Sequence, residues 1–292
     1  MLIGKKLVDE EKIRELILAI KQKKELQQIS NDFVRDHVYS YFQQNPQRIS
    51  ELANPRSQKY KQIIKEVRAK LRRIYSLFRT TEEGKERREL FEEWLQGSLR
   101  QRRKTIEKIL ATHASTRERV SYYPQLYDKI FSITGKPTKL IDLGCGINPF
   151  SLPFMKLQKC TYYAYDISIE EVELLDLFFQ ELHKKNVNFA GHAAVLDALQ
   201  MAKLAKLKEV DLCFLFKMTD VLDQGKGHKV TEKVLQNIPA RVVVVSFPTL
   251  TMSGRKMNYP RRKWIELLCH RLGYHYRTLE FENEIFYMIK KK

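Results

Sequence analysis

Cysteine is scarce in this chain: four in 292 residues, at Cys145, Cys160, Cys213 and Cys269. No CxxC pair occurs and no histidine stands at ligand spacing, which argues against a zinc site and against the disulfide framework of a small secreted domain. Long apolar runs are also missing. None approaches the roughly eighteen residues of a membrane-spanning helix. The opening stretch "MLIGKKLVDEEKIRELILAIKQKK" is charged throughout, unlike an export signal with its apolar core. There is no GxxxxGK[ST] phosphate loop and no GxGxxG turn, which disfavours a P-loop nucleotide site and a dinucleotide cradle. Acids are outnumbered 53 to 35 by Lys and Arg, a formal net charge of +18. With 43% hydrophobic residues the chain can still bury a full core. These features predict a soluble, reduced, cytoplasmic protein whose partner is a polyanion, nucleic acid before an anionic membrane.

Two rhythms divide the chain. Up to about residue 110 the apolar residues recur at helical spacing, as in Ile13, Leu16, Ile17 and Ile20, and again in Ile63, Ile64, Val67 and Leu71. "KERRELFEEWLQGSLRQRRKTIEKILATH" supplies a further helix or two. Residues 1–112 hold 26 Lys and Arg against 16 acids, a net of +10. The densest piece, from Arg56 to Arg79, sets nine cations against Glu66 alone. A helix of this kind can lay cations along a phosphate backbone; a solvated face or a membrane-surface helix is the alternative.

From about residue 138 short apolar runs alternate with helical segments. Strands are expected at 139–144, 161–167, 187–191, 210–216 and 241–247, with a closing hairpin at 275–281 and 284–290. Helices are expected at 151–157, 170–185, 199–208, 228–237 and 260–272. This alternation predicts a doubly wound, mostly parallel sheet, whose ligand binds beyond the carboxyl ends of the strands. The turn after the first strand, "DLGCGINP", brings Gly144 and Gly146 where backbone can approach a ligand closely. Asp166 ends the second strand, placed to accept from both ribose hydroxyls of a nucleoside. Asp197 follows the third, where a carboxylate can accept from an adenine amine. One strand-end aspartate is commonly a cap or turn former. Acids in register after successive strands instead point to S-adenosylmethionine (SAM), which is adenosine and an amino acid with no phosphate to cradle. Upstream, Ser115 or Thr116 could cap a helix, while Arg117 or Arg119 could pair bidentately with the cofactor carboxylate.

"HASTRER" (His113–Arg119), followed by "IDLGCGINPFSLPFM", "YYAYDI", "FLFKMTDVLDQ" and "VVSFPT", resembles the 16S rRNA (guanine-N7)-methyltransferases of aminoglycoside resistance. The likeness runs in order over roughly residues 105–265 and more loosely over the basic helix at 58–79. It implies a Rossmann-like class I SAM-dependent methyltransferase domain (109–292) preceded by an all-helical, basic, rRNA-binding domain (1–108). It also implies that Arg119 binds the cofactor carboxylate, Gly144 and Gly146 form the cofactor turn, and Asp166 and Asp197 are the ribose and adenine acids. His113, Ser115, Arg117, Cys145, Ile167, Ala198 and Lys217 join the cofactor set, as does Gln224, which stands where the family carries a glutamine pair. Ser253, Arg255, Lys256 and Tyr259 are the candidates for holding the target base or its phosphate, in a loop shorter than the family's. Lys61, Lys65, Arg68, Arg72, Arg73 and Arg79 are the candidate RNA contacts. The implied partner is 16S rRNA within the 30S subunit, met by a monomer with no metal and no membrane. A SAM-dependent methyltransferase of another RNA site, or a non-catalytic rRNA-binding assembly factor, is the alternative.

Overall fold

A computed structural model describes residues 2–3, 6–75, 81–223, 227–251 and 254–292. The chain divides into two compact units, residues 1–86 with 167–169, and residues 87–166 with 170–292. In the first, α1 (Glu10–Lys21), α2 (Asn31–Gln44) and α3 (Gln58–Tyr75) are the main helices. Asp9 and Ser30 cap the first two by accepting the N–H groups of Glu11 and Phe33. Ile13, Leu16, Ile17 and Ile20 are buried, together with Phe33, Val34, Val38 and Phe42 of α2 and Ile63, Val67 and Leu71 of α3. Helix α2 is absent from the sequence expectations. Its β-branched and aromatic content is poor in intrinsic helix propensity, and tertiary packing overrides that.

The second unit begins within α4 (Thr81–Gln96) and continues through α5 (Leu99–Ala111), the short α6 (Ala114–Arg117) and α7 (Tyr123–Thr134). The boundary expected at 108/109 therefore falls at 86/87. The reason is packing: Ile106, Ile109 and Leu110 of α5, with Phe91 and Trp94 of α4, share one core with the sheet. Ser98 and Gln101 form a capping box that restarts the helix after Gly97.

Seven strands follow: β1 (Lys139–Leu143), β2 (Cys160–Asp166), β3 (Phe189–Val195), β4 (Val210–Phe216), β5 (Ala240–Pro248), β6 (His275–Glu280) and β7 (Glu284–Lys290). Their order in the sheet is 3-2-1-4-5-7-6, parallel except for β7, which runs antiparallel to both β5 and β6. Between the strands lie α8 (Ile169–Lys185), α9 (Met201–Leu204), α10 (Thr219–Asp223), α11 (Lys229–Asn237) and α12 (Lys263–Leu272). Alternate residues of each strand feed opposite faces. Leu140, Val242 and Val244 enter one core with Tyr127 and Phe178, whereas Ile141, Val243 and Val245 enter the other with Val234, Ile265 and Leu268. The helix expected at 151–157 is a 3-10 stretch, Asn148–Met155, because Pro149 and Pro153 withhold the N–H groups an α-helix needs. The helix expected over 199–208 contracts to α9, and the one at 260–272 starts three residues late, beyond Pro260. Among the described residues no helix is long and apolar enough to cross a membrane.

Candidate active site

The carboxyl ends of β1 to β5 converge on one edge of the sheet. The turn after β1 is fastened there by backbone: the N–H groups of Gly144 and Cys145 both donate to the Tyr165 carbonyl, at 2.8 and 3.0 Å. Gly144 has φ +67°, which strains any residue with a side chain, and a Cβ at that position would displace the Met218 side chain, so the turn favours glycine. The N–H of Gly146 donates to Asp166 Oδ2 at 2.8 Å, fixing the second strand's acid against the turn. Leu196 N–H donates to the Asp166 carbonyl, tying the end of β3 to that of β2. Asp197, also buried, accepts the N–H of Leu199 at 2.8 Å. Cys145 and Ala198 are buried beside these positions in the chain. Gly144, Gly146, Asp166 and Asp197 thus stand together on the edge expected of them. Ile167 follows Asp166 directly, and its carbonyl accepts the Ser30 N–H.

Beneath the turn lies Asp142, fully enclosed. It accepts from Asn148 Nδ2 and from the Tyr162 hydroxyl, each at 2.8 Å. Burial pushes its carboxyl up to about 6 against the pull of those two hydrogen bonds. The folded protein therefore retains a proton here that the unfolded chain has lost. Its contribution to stability is full below about pH 4 and is lost as the pH rises through 6, on the order of 3 kcal/mol. Asp142→Asn, which carries no charge, is expected to gain stability relative to the parent between pH 4 and 6 and to hold that gain above pH 7. Urea unfolding of both proteins across this range checks it; a parallel pair of pH profiles would refute the assignment.

The cations upstream separate into two roles. Arg117 is exposed and donates from Nε to the Ala111 carbonyl at 2.6 Å, closing the end of α5. Arg119 is 1% exposed and Glu284 0%. They form a bidentate pair, Nε to Oε2 at 2.8 Å and Nη2 to Oε1 at 2.7 Å. Burial alone would lower the Arg119 pKa, but Glu284 beside it raises it. Burial would raise Glu284, and Arg119 holds it below the usual glutamate value. The guanidinium fork expected to take the cofactor carboxylate is thus committed to a carboxylate of the chain itself. An internal partner, buried with it, neutralises a charge that could not otherwise be enclosed. Glu284 was missed by sequence reasoning; its one signal is an acid directly before the apolar run Ile285–Ile289.

Lys217 completes this corner. It follows β4 in the left-handed region, φ +54°, an uncommon and strained conformation for a residue with a side chain. Its N–H is held by Ser246 Oγ at 3.0 Å, and its ammonium pairs with Glu118 and lies 4.0 Å from Glu284. Ser246 in turn donates to Glu284. His113 Nδ1 and Ser115 Oγ bond each other at 2.9 Å, while Thr116 Oγ1 donates to the Leu110 carbonyl, so the "HAST" part of the motif builds the short α6 and its junction with α5.

Arg255, Lys256 and Tyr259 are exposed on the segment leaving β5, where Leu250 and Lys256 form an isolated bridge and Arg255 N–H donates to Thr251 Oγ1. Ser253 and Gln224 lie outside the described residues, as do Arg79 and the side chain of Arg73. Among the candidate RNA contacts, Lys61 and Lys65 are exposed. Arg68 is used otherwise: it donates to the carbonyls of Ile20 and Ala19 at 3.0 and 2.5 Å, serving the open C-terminus of α1. Arg72 is paired with Glu25 at 2.7 Å.

A sheet ordered 3-2-1-4-5-7-6, with a tight glycine turn after β1 and buried acids at the ends of β2 and β3, defines a SAM-dependent methyltransferase. The model of one such family, the ribosomal RNA methyltransferase family FmrO, matches residues 41–288, and the chain belongs to that family. It is 28% identical over 246 residues, 79% of its own length and 85% of the relative's, to a 16S rRNA (guanine(1405)-N(7))-methyltransferase of Proteus mirabilis. To the enzyme of that name from Micromonospora rosea it is 33% identical over 193 residues, 63% of this chain and 65% of the relative. In fold it is similar to the 16S rRNA methyltransferase RmtF in complex with S-adenosyl-L-homocysteine, with TM-score 0.73 and 24% identity over 97% of this chain and 99% of the other.

Proposed function

We propose that this enzyme methylates N7 of a single guanine of 16S rRNA in the decoding region, guanine 1405 being the position for which its relatives are named. The observation that carries the reading is the cofactor edge: a glycine at 144 in the left-handed region and an Asp166 carboxylate oriented by the Gly146 N–H. Gly144 and Gly146 would hold the cofactor's approach to the backbone, Asp166 its ribose and Asp197 its adenine. Lys217, only 12% exposed at its side chain, is the cation of this corner proposed for the methionyl carboxylate, Arg119 being engaged by Glu284. SAM supplies an electrophilic methyl group on a sulfonium centre. Guanine N7 has an in-plane lone pair and no proton to lose, so the chain needs no general base for this atom. Its residues have to orient the base, extruded from its stack, and exclude water. Arg255, Lys256 and Tyr259, exposed at the same sheet edge, are suited to hold the base or its phosphate, as is Ser253.

The exposed lysines of α3 would dock on folded RNA by phosphate contacts and shape. The substrate in this reading is the assembled 30S subunit in the cytoplasm, met by a monomer. A methyl group at such a guanine would block an aminoglycoside or tune decoding.

The test is methyl transfer from labelled SAM to purified 30S subunits, with borohydride and aniline cleavage and primer extension to map the product. One stop at a decoding-region guanine is expected. Label at another nucleotide would overturn the target, and absence of label with SAM binding retained would overturn the activity.

A further inference from the structure

The methyltransferase unit carries a second concave feature, lined by none of the residues proposed for the cofactor. It is a cavity of about 440 Å³ walled by α4, α5, the 3-10 stretch and the end of α8. Lys156 leads into β2 and Lys185 leads into β3, so this cavity lies toward the amino ends of the parallel strands, the opposite edge from Gly144, Asp166 and Asp197.

Its lining joins four cations, Arg102, Arg103, Lys156 and Lys185, to a mainly apolar wall, with no acid. Arg102 stacks over Trp94 at 5.1 Å and is locked there by the carbonyls of Gly97 and Leu95, both at 2.7 Å. Lys185 lies 4.7 Å over the same indole, and Arg103 5.8 Å over Phe154. The neighbouring acids are weak competitors. Lys156 meets Asp128 at 3.1 Å and Arg103 meets Glu107 at 3.8 Å, in pairs whose side chains are all more than two-fifths exposed. Such pairs are worth about 0–1 kcal/mol and exchange readily for another anion. At the mouth, Leu99 is 85% exposed, a large apolar side chain left in solvent.

Helix α5 adds an independent argument. It has no acid in its first turn, and Arg100, Arg102, Arg103 and Lys104 crowd its first two turns, where the backbone dipole already favours anions. Arg102 is satisfied by the carbonyls at the end of α4, but Arg100, Arg103 and Lys104 place cations where a counter-anion would be stabilising. Interleaved cations and exposed apolar faces are what single-stranded nucleic acid requires: phosphates on the former, base faces on the latter.

We propose that this groove is a second RNA-docking site, which takes an unpaired or kinked segment of the 16S rRNA. Phosphates lie against Arg103, Lys156 and Lys185, and a base face against the exposed Leu99. The proposal rests on 16S rRNA being the substrate. Because the groove is on the edge away from the cofactor, it contributes to docking and leaves the chemical step alone.

Two full-length variants test it, Arg103→Ala with Lys185→Ala, and Leu99→Glu, which acts at an exposed position. Binding to 30S subunits is measured across a salt series, beside S-adenosylhomocysteine affinity and the kcat and KM of methylation. We expect at least a tenfold loss of 30S affinity in each variant, a rise in KM with kcat and S-adenosylhomocysteine affinity unchanged, and, for the double variant, a salt slope shallower by about two phosphate contacts. Unchanged 30S affinity in both variants would sink the proposal. A loss of affinity with the parental salt slope would assign the groove to a ribosomal protein and overturn RNA as its occupant. Should the parent methylate no 16S guanine, the proposed function fails by itself, and the affinities and salt slopes still decide the groove.

Discussion

Replacing Glu284 with alanine is expected to cost about 3–5 kcal/mol of folding free energy, since it leaves the Arg119 guanidinium enclosed without a counter-charge. The loss would appear as a large fall in the urea midpoint at unchanged slope. Glu284→Gln keeps the shape and one acceptor and is expected to lose less. The informative protein is the double variant Arg119→Leu with Glu284→Leu. If the pair is purely structural, replacing both charges with apolar side chains restores most of the stability and leaves cofactor binding intact. If Arg119 also serves the methionyl carboxylate, the double variant folds and S-adenosylhomocysteine binding is lost; titration calorimetry on the refolded protein separates the two. The pair also sets an acid limit. Glu284 has a depressed pKa, so its contribution is present above the ordinary glutamate range and is lost as the pH falls through its folded-state value. This is the opposite sense to Asp142 on the same sheet.

Asp166→Ala is expected to weaken S-adenosylhomocysteine binding by at least a hundredfold. The carboxylate does two things at once. It holds the Gly146 N–H at 2.8 Å, which shapes the turn, and it is the acceptor proposed for the ribose hydroxyls. Each hydrogen bond to a charged acceptor is worth roughly 1.5–3 kcal/mol, and losing two gives a factor between ~10² and ~10⁴. Asp166→Asn retains an oxygen for Gly146 and is expected to fall between the parent and Asp166→Ala. Parental affinity in Asp166→Ala, measured by calorimetry on protein shown to be folded, would remove the cofactor assignment of this edge.

Most of the fold was legible because its signals are local. Strands such as 210–216 and 284–290 are bounded in the sequence by polar or turn residues on both sides, and a run of β-branched residues like "RVVVVSF" has little alternative to a buried strand. The turn with Gly144 and Gly146, and Asp166 behind it, were readable for the same reason: each is defined by its place relative to the end of a strand. The third strand, expected at 187–191, instead runs Phe189–Val195, which brings its end to two residues before Asp197. The likeness of "HASTRER" to a known family then told which ligand such a turn serves. Helix α2 was illegible because its pattern rests on residues of weak helix propensity, and the boundary at 86/87 because a helix does not announce in sequence which core it joins.

What tertiary structure alone decided is the use of the charges. Composition set the surplus of cations and the alternation set the sheet, but neither reveals which cation is spent internally. Arg68 closes a helix end, Arg117 another, and Arg119 is committed to an acid 165 residues away. The physical reason is that apolar periodicity is written along the chain, in steps of two or 3.6 residues. A charge pair depends on which distant segments the fold brings within about 3 Å, and no local pattern encodes that.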